Sequence, residues 1–147
     1  YPGYRLRPYQ KEIVDGVTVH RVWLCPSHSR SKLGRIANYL SFAAVSSLLG
    51  PWVARRPDLV YIYNPPATAG FAGWFLKLVY GVPAVLDIQD LWPDTLRATG
   101  MVSNPRLLGL VGAGCRLLYR GMDHISVLSP GFRAKLVERG VAPHKVS

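Results

Sequence analysis

The chain has 147 residues, 49% of them hydrophobic and 18% charged: enough apolar chain for one domain with a core, and too apolar for a disordered one. Its formal net charge of +10 favours anionic partners such as nucleic acid, acidic lipid or phosphate-bearing substrates, yet the cations are scattered, from Arg5 and Arg7 through Arg55 and Arg56 to Arg116 and Arg120. No run of five or six like charges marks a nucleic-acid tail, and Cys25, Cys115 and the four histidines lack metal-site or disulfide spacing, so both thiols are expected to be free and buried in a reducing compartment.

Tyr1-Pro2-Gly3-Tyr4 reads as the middle of a loop and Val146-Ser147 as the start of a strand, so both ends are expected to be cuts in a longer chain. The alternation in Val17-Thr18-Val19-His20-Arg21-Val22 predicts a half-exposed strand, followed by a basic, turn-rich loop over residues 26–32. A helix is expected over 33–49, stopped or kinked by Gly50-Pro51. Residues 36–54 carry no charge, but Asn38, Ser41, Ser46 and Ser47 make a poor membrane span; a helix packed against a sheet is expected, with a membrane-surface helix as the alternative.

Leu59-Val60-Tyr61-Ile62-Tyr63 is a continuous β-favouring run, read as a strand buried on both faces and ended by Asn64-Pro65-Pro66. A helix over 67–80 closes at Gly81 and Pro83, and Ala84-Val85-Leu86-Asp87-Ile88 is the next buried strand. Asn104-Pro105 starts a helix that runs to Arg120-Gly121, Ile125-Ser126-Val127-Leu128 is a further strand, and Ser129-Pro130 opens a helix ending at Arg139-Gly140. Alternating strands and helices predict βαβ units: a Rossmann-like α/β domain, its parallel sheet covered by helices on both faces.

Ligands of such sheets bind beyond the carboxyl ends of the strands, where this sequence places Asn64, then Gln89 and Asp90, then Ser129. Asn64 could equally terminate a strand, and Ser129 could cap a helix. Asp87-Ile88-Gln89-Asp90-Leu91-Trp92-Pro93-Asp94 concentrates three of the chain's eight acids beside a buried strand, where an ionised carboxylate is costly unless paired or used. Trp92 offers a flat face for a sugar ring; the plainer alternative is a loop with a capping aspartate and a core tryptophan. Pro93 keeps the three aspartates off one helical face, which argues against a metal cluster, and neither a G-x-G-x-x-G nor a P-loop pattern is present.

This octapeptide, with Thr99-Gly100-Met101, resembles the N-terminal domain of family 4 glycosyltransferases, particularly the fucosamine-transferase-like enzymes of bacterial capsule, colanic-acid and O-antigen assembly. Tyr1 to Arg5, Gly16 to Val22, Pro26 to Ser29, Asp58 to Tyr61, Asn64-Pro65-Pro66 and Ser126 to Phe132 extend the resemblance over nearly the whole chain.

The resemblance implies the acceptor-side half of a two-domain GT-B enzyme over residues 1–147, with the donor domain outside them. It also implies retaining, metal-independent transfer from a nucleotide-sugar, UDP-linked, to a lipid-linked saccharide, with no cofactor. Asp90 and Gln89 become the catalytic candidates, and Asn64, Trp92, Asp94 and Ser129 the substrate-binding ones. Family members often carry histidine where Gln89 stands, and an amide is no useful base. A cytoplasmic protein, peripheral on the inner face of the plasma membrane, would suit the basic charge. The competing readings are a non-catalytic membrane-surface domain and a nucleic-acid-binding module; the aromatic residues are not interleaved with lysine and arginine as the latter requires.

Overall fold

The structure is a computed structural model and describes residues 7–26 and 31–147. The expected features at Tyr1 to Arg5 and at Ser27 to Arg30 lie outside the described residues.

The first element is a hairpin that the alternation reveals only in half. Strand β1 (Tyr9–Val14) pairs antiparallel with β2 (Val17–Val22), with Val14 opposite Val17. Asp15 and Gly16 make the turn at φ 51° and 82°. Positive φ at both central residues is the turn whose twist matches a hairpin, and glycine takes it without a Cβ penalty.

Helix α1 (Lys32–Val53) runs four residues past the expected stop. A proline in the last turn removes only one ladder bond, and the helix end is tied from elsewhere. The Ala54 N–H donates to Gly50 O at 2.8 Å, while the Tyr80 hydroxyl donates to the carbonyls of Pro51 and Ala54 at 2.5 and 2.7 Å. The main packing of α1 is on the next helix and not, as expected, on the parallel sheet.

Strand β3 (Val60–Asn64), helix α2 (Ala67–Tyr80) and strand β4 (Ala84–Ile88) form the first crossover unit. The short helix α3 (Asp94–Ala98) and helix α4 (Pro105–Gly121) lead to β5 (His124–Val127) and helix α5 (Pro130–Glu138). The three strands form a parallel sheet in the order β3-β4-β5, and Val146 bridges Ile125 in parallel, so the expected final strand begins beside β5. The Rossmann-like α/β class is borne out.

The covered face is dry. Ala84, Leu86 and Ile88 of β4, Leu118 of α4, Ile125 of β5 and Leu136 of α5 are all fully buried. Gly73 lets α2 approach β3 so closely that an added Cβ would sit 2.3 Å from Ile62. The expectation that β3 is buried on both faces fails: Val60, Ile62 and Asn64 are buried, but Tyr61 and Tyr63 between them are each 60% exposed. The β-favouring run hides this, because tyrosine serves an apolar pattern and an open sheet face equally well.

One carboxylate ties the last turn of α2 to the start of β4. Asp123 accepts from Lys77 Nζ and from the Ala84 N–H, both at 2.7 Å. Burial acts to raise its carboxyl pKa, but the Lys77 and Ala84 hydrogen bonds and the charges of Lys77 and Lys145 outweigh that and hold it below the ordinary value. The thiol of buried Cys115 is pushed up by burial, against the lesser effects of Tyr119, Arg139 and Arg116, whereas Cys25 is only half-buried, short of the expectation for both.

Candidate functional site

The segment from Asp87 to Asp94 sends its three aspartates in three directions. Asp87, still in the strand, lies on the open sheet face, where it accepts from the Tyr61 hydroxyl and from Gln89 Nε2, each at 2.7 Å. The hydrogen bond to Asp87 is the chief reason why the Tyr61 pKa is raised. Asp94 opens α3 and forms an ion pair with Arg139, whose guanidinium also donates to Trp92 O at 3.1 Å. Only Asp90 is left facing the cleft at the carboxyl end of the sheet.

Asp90 is held from both sides. Trp92 Nε1 donates to one carboxylate oxygen at 3.2 Å, and the Thr95 hydroxyl donates to the other through a short hydrogen bond. Thr95 can reach back because α3 begins at once: its N–H donates to Leu91 O at 3.0 Å, which fixes the turn. Each carboxylate oxygen can accept more than one hydrogen bond, so Asp90 is oriented and still able to accept from a ligand. It lines a cavity of about 200 Å³ with Arg35 and Tyr39 of α1, Pro65 and Pro66 after β3, Thr95, and Thr99. Pro66 and Pro93 both follow cis peptide bonds.

The other expected site residues are placed as follows. Asn64 lies under this region, 1% exposed, its backbone carbonyl accepting from Gln89 N–H at 2.9 Å. Among the described residues its carboxamide has no hydrogen-bond partner at either atom, an arrangement rare enough to mark a strained or functional position. Gln89, next to Asp90 in sequence, points to the opposite face and spends its amide on Asp87. Trp92 is 9% exposed and tilted at 53° against Tyr39, with ring centroids 6.0 Å apart. It is a wall of the site with little open face for a sugar, and its part here is to fix Asp90.

Ser129 caps α5, accepting from the Phe132 N–H at 3.3 Å, and lines a separate cavity with Arg133 and Ser147. Asp94 is likewise outside the Asp90 cavity. Of the six candidates, then, Asp90 and Trp92 converge, Asn64 lies beside them, and Gln89, Asp94 and Ser129 do not join them.

Sequence reasoning missed Arg35, Tyr39 and Thr95. A signal was available for the first two, which stand at i and i+4 on one face of α1. Thr95 gives none until the turn after β4 is known. Among the described residues no group of three or more histidine, cysteine, aspartate or glutamate side chains gathers to hold a metal ion.

Two further cavities adjoin Trp92. One, about 330 Å³, is lined by Pro93, Cys115, Arg116, Tyr119 and Arg139. The other, about 220 Å³, lies between α1 and α4 and is wholly apolar. A family model described as a glycosyl transferase 4-like domain matches residues 1–147. A search of curated proteins found no match.

Proposed function

The chain belongs to the glycosyl transferase 4-like family and is a glycosyltransferase domain; from that premise we propose that it forms the acceptor-side half of a GT-B enzyme. That enzyme moves a sugar from a nucleotide-sugar, UDP-linked, to a lipid-linked saccharide in bacterial surface-polysaccharide assembly. The kinship with capsule, colanic-acid and O-antigen enzymes, carried by the segment from Asp87 to Asp94, is part of this reading, as are retention of configuration, independence of metal and a donor domain of the same enzyme facing the cleft.

One observation carries it: a carboxylate fixed by two donors at the carboxyl end of a parallel sheet, in a cavity that also holds the guanidinium-bearing Arg35. In this reading Asp90 accepts a hydrogen bond from the acceptor hydroxyl. It aligns that oxygen for attack on the anomeric carbon and offsets the positive charge that develops on it, while the sugar's bond to the nucleoside diphosphate breaks and the departing diphosphate takes the hydroxyl proton. Arg35 lies where a phosphate of the acceptor would be neutralised. Gln89 takes no part in proton transfer, since its amide is no base and is engaged with Asp87.

The protein would work at the inner face of the plasma membrane. Helix α1 supports a place at the membrane: it is long and apolar enough, by length and composition, to cross one. Leu33, Leu48 and Trp52 are 77%, 70% and 87% exposed, as a helix lying on a lipid surface would have them. The same exposure favours a second reading, a membrane-surface domain without catalysis.

The test uses the natural full-length protein with a panel of UDP- and GDP-sugars and a polyprenyl-diphosphate saccharide, following release of nucleoside diphosphate, beside sedimentation with anionic vesicles. Acceptor-dependent release supports the enzyme reading. Vesicle binding with no turnover for any donor supports the second, and neither activity would overturn both.

A further inference from the structure

The apolar cavity between α1 and α4 is not a packing defect of the core, because its rim is at the surface. Its floor is Trp92 and Leu96, both buried, and its lips are Leu40, Leu107 and Leu110, which are 57%, 52% and 70% exposed. The two helices present matching stripes to it. Ile36, Tyr39 and Leu40 on α1 stand at i, i+3 and i+4, as do Leu107, Leu110 and Val111 on α4. A contiguous apolar groove open at the surface beside a polar cavity is the form that a ligand-binding groove takes.

Two observations say what the occupant is. First, the groove and the Asp90 cavity share Tyr39, Trp92, Leu96 and Met101, so an apolar site and a polar one lie side by side against the same residues. A molecule that fills both is an amphiphile. Second, neither helix carries any acidic residue, while Lys32 and Arg35 on α1 and Arg106 on α4 bring positive charge. That balance suits an amphiphile whose polar end is anionic. We infer that the groove between α1 and α4 holds the first part of the hydrocarbon chain of a phosphate-bearing lipid acceptor, whose saccharide end reaches Asp90.

This inference rests on the acceptor-side reading, and it makes that reading more specific. The lipid is then a recognised part of the substrate, not merely its anchor. Transfer should prefer an acceptor with a long chain even when no membrane is present, since the groove binds the chain itself.

The test compares one saccharide diphosphate on a short, water-soluble chain and on a long polyprenyl chain, both below their aggregation concentrations, with the natural full-length protein. The variant Leu40→Gln/Leu110→Gln changes two exposed lips, and Leu78→Gln, 63% exposed on α2, is the control. The ratio of the two KM values should fall about tenfold in the double variant, with kcat and the short-chain KM unchanged and the control like wild type. An unchanged ratio in the double variant, or an equal change in the control, would overturn the inference.

A photoreactive polyprenyl phosphate supplies a readout that needs no turnover. Labelling should fall in residues 32–53 and 105–121 and be lost in the double variant; labelling elsewhere contradicts the groove. Labelling there in a protein that turns over no lipid acceptor would leave the groove standing and remove the proposed function, so the two failures are distinguishable.

Discussion

The two sides of α4 face different environments. Toward the sheet, Leu118 and Tyr119 join Leu86, Ile88, Ile125 and Leu136 in a layer from which water is excluded. Toward α1, Leu107 and Leu110 stand half or more exposed over a groove that adjoins the Asp90 cavity. One helix thus supplies both the packed core and the open apolar surface. Where an apolar side chain is buried, its role is packing; where it stays in contact with water beside a polar cavity, packing does not account for it. Substitutions on the two sides should separate stability from function.

The largest effect is expected on the core side. Gly73→Val pushes a branched side chain into the Cγ1 and Cδ1 atoms of Ile62, a clash of α2 against β3 that displaces a buried side chain. It should cost about 3 kcal/mol, and denaturant titration would register it as a fall in midpoint; a loss within experimental error would mean that α2 does not approach β3 as described. Leu118→Ala, at a fully buried position, should cost roughly 2–5 kcal/mol by the same measurement.

Asn64→Leu tests the boundary between the two sides. The buried carboxamide has no partner among the described residues, so an apolar side chain of similar size should raise stability by about 1 kcal/mol. Turnover should fall if the amide serves the substrate. Higher stability with full activity would make Asn64 a strand terminator and nothing more.

Asp123 gives a pH-dependent effect of about 1 kcal/mol or less, given its exposure. Its folded pKa lies below the ordinary 3.8, so the stability that it contributes is complete above that value and is lost as pH falls through the folded pKa. Asp123→Ala should therefore lower stability at neutral pH and flatten the acid limb; an unchanged limb would place the acid sensitivity elsewhere. The smallest stability effect belongs to Trp52→Gln on exposed α1, within about 0.5 kcal/mol by thermal melting, while binding to anionic vesicles weakens. Unchanged vesicle binding would remove α1 from the membrane account.

Much of this division was legible in the sequence. Asn104 and Ser129 start their helices as capping residues should, and the expected helix over 67–80 coincides with α2 and closes at left-handed Gly81. Strand β1 was missed because its exposed residues do not alternate in hydrophobicity, although Asp15-Gly16 marked its turn. The stop at Pro51 was misplaced because the tie from Tyr80 comes from another helix. At the site, the sequence showed that the segment after β4 matters but not which carboxylate faces the cleft. That depends on contacts with Tyr61, Thr95 and Arg139, which are 26, 5 and 45 residues away from their partners. Local pattern carries no record of the contacts with Tyr61 and Arg139, and the one with Thr95 depends on the turn between them.

The central claim is that Asp90, and not its neighbour Asp94, faces the reacting groups. The decisive measurement is kcat at saturating acceptor for Asp90→Asn beside Asp94→Asn, in the natural full-length protein with both variants confirmed as folded. The account predicts a loss of about a hundredfold for Asp90→Asn and activity near wild type for Asp94→Asn. Equal losses, or a loss confined to Asp94→Asn, would contradict it.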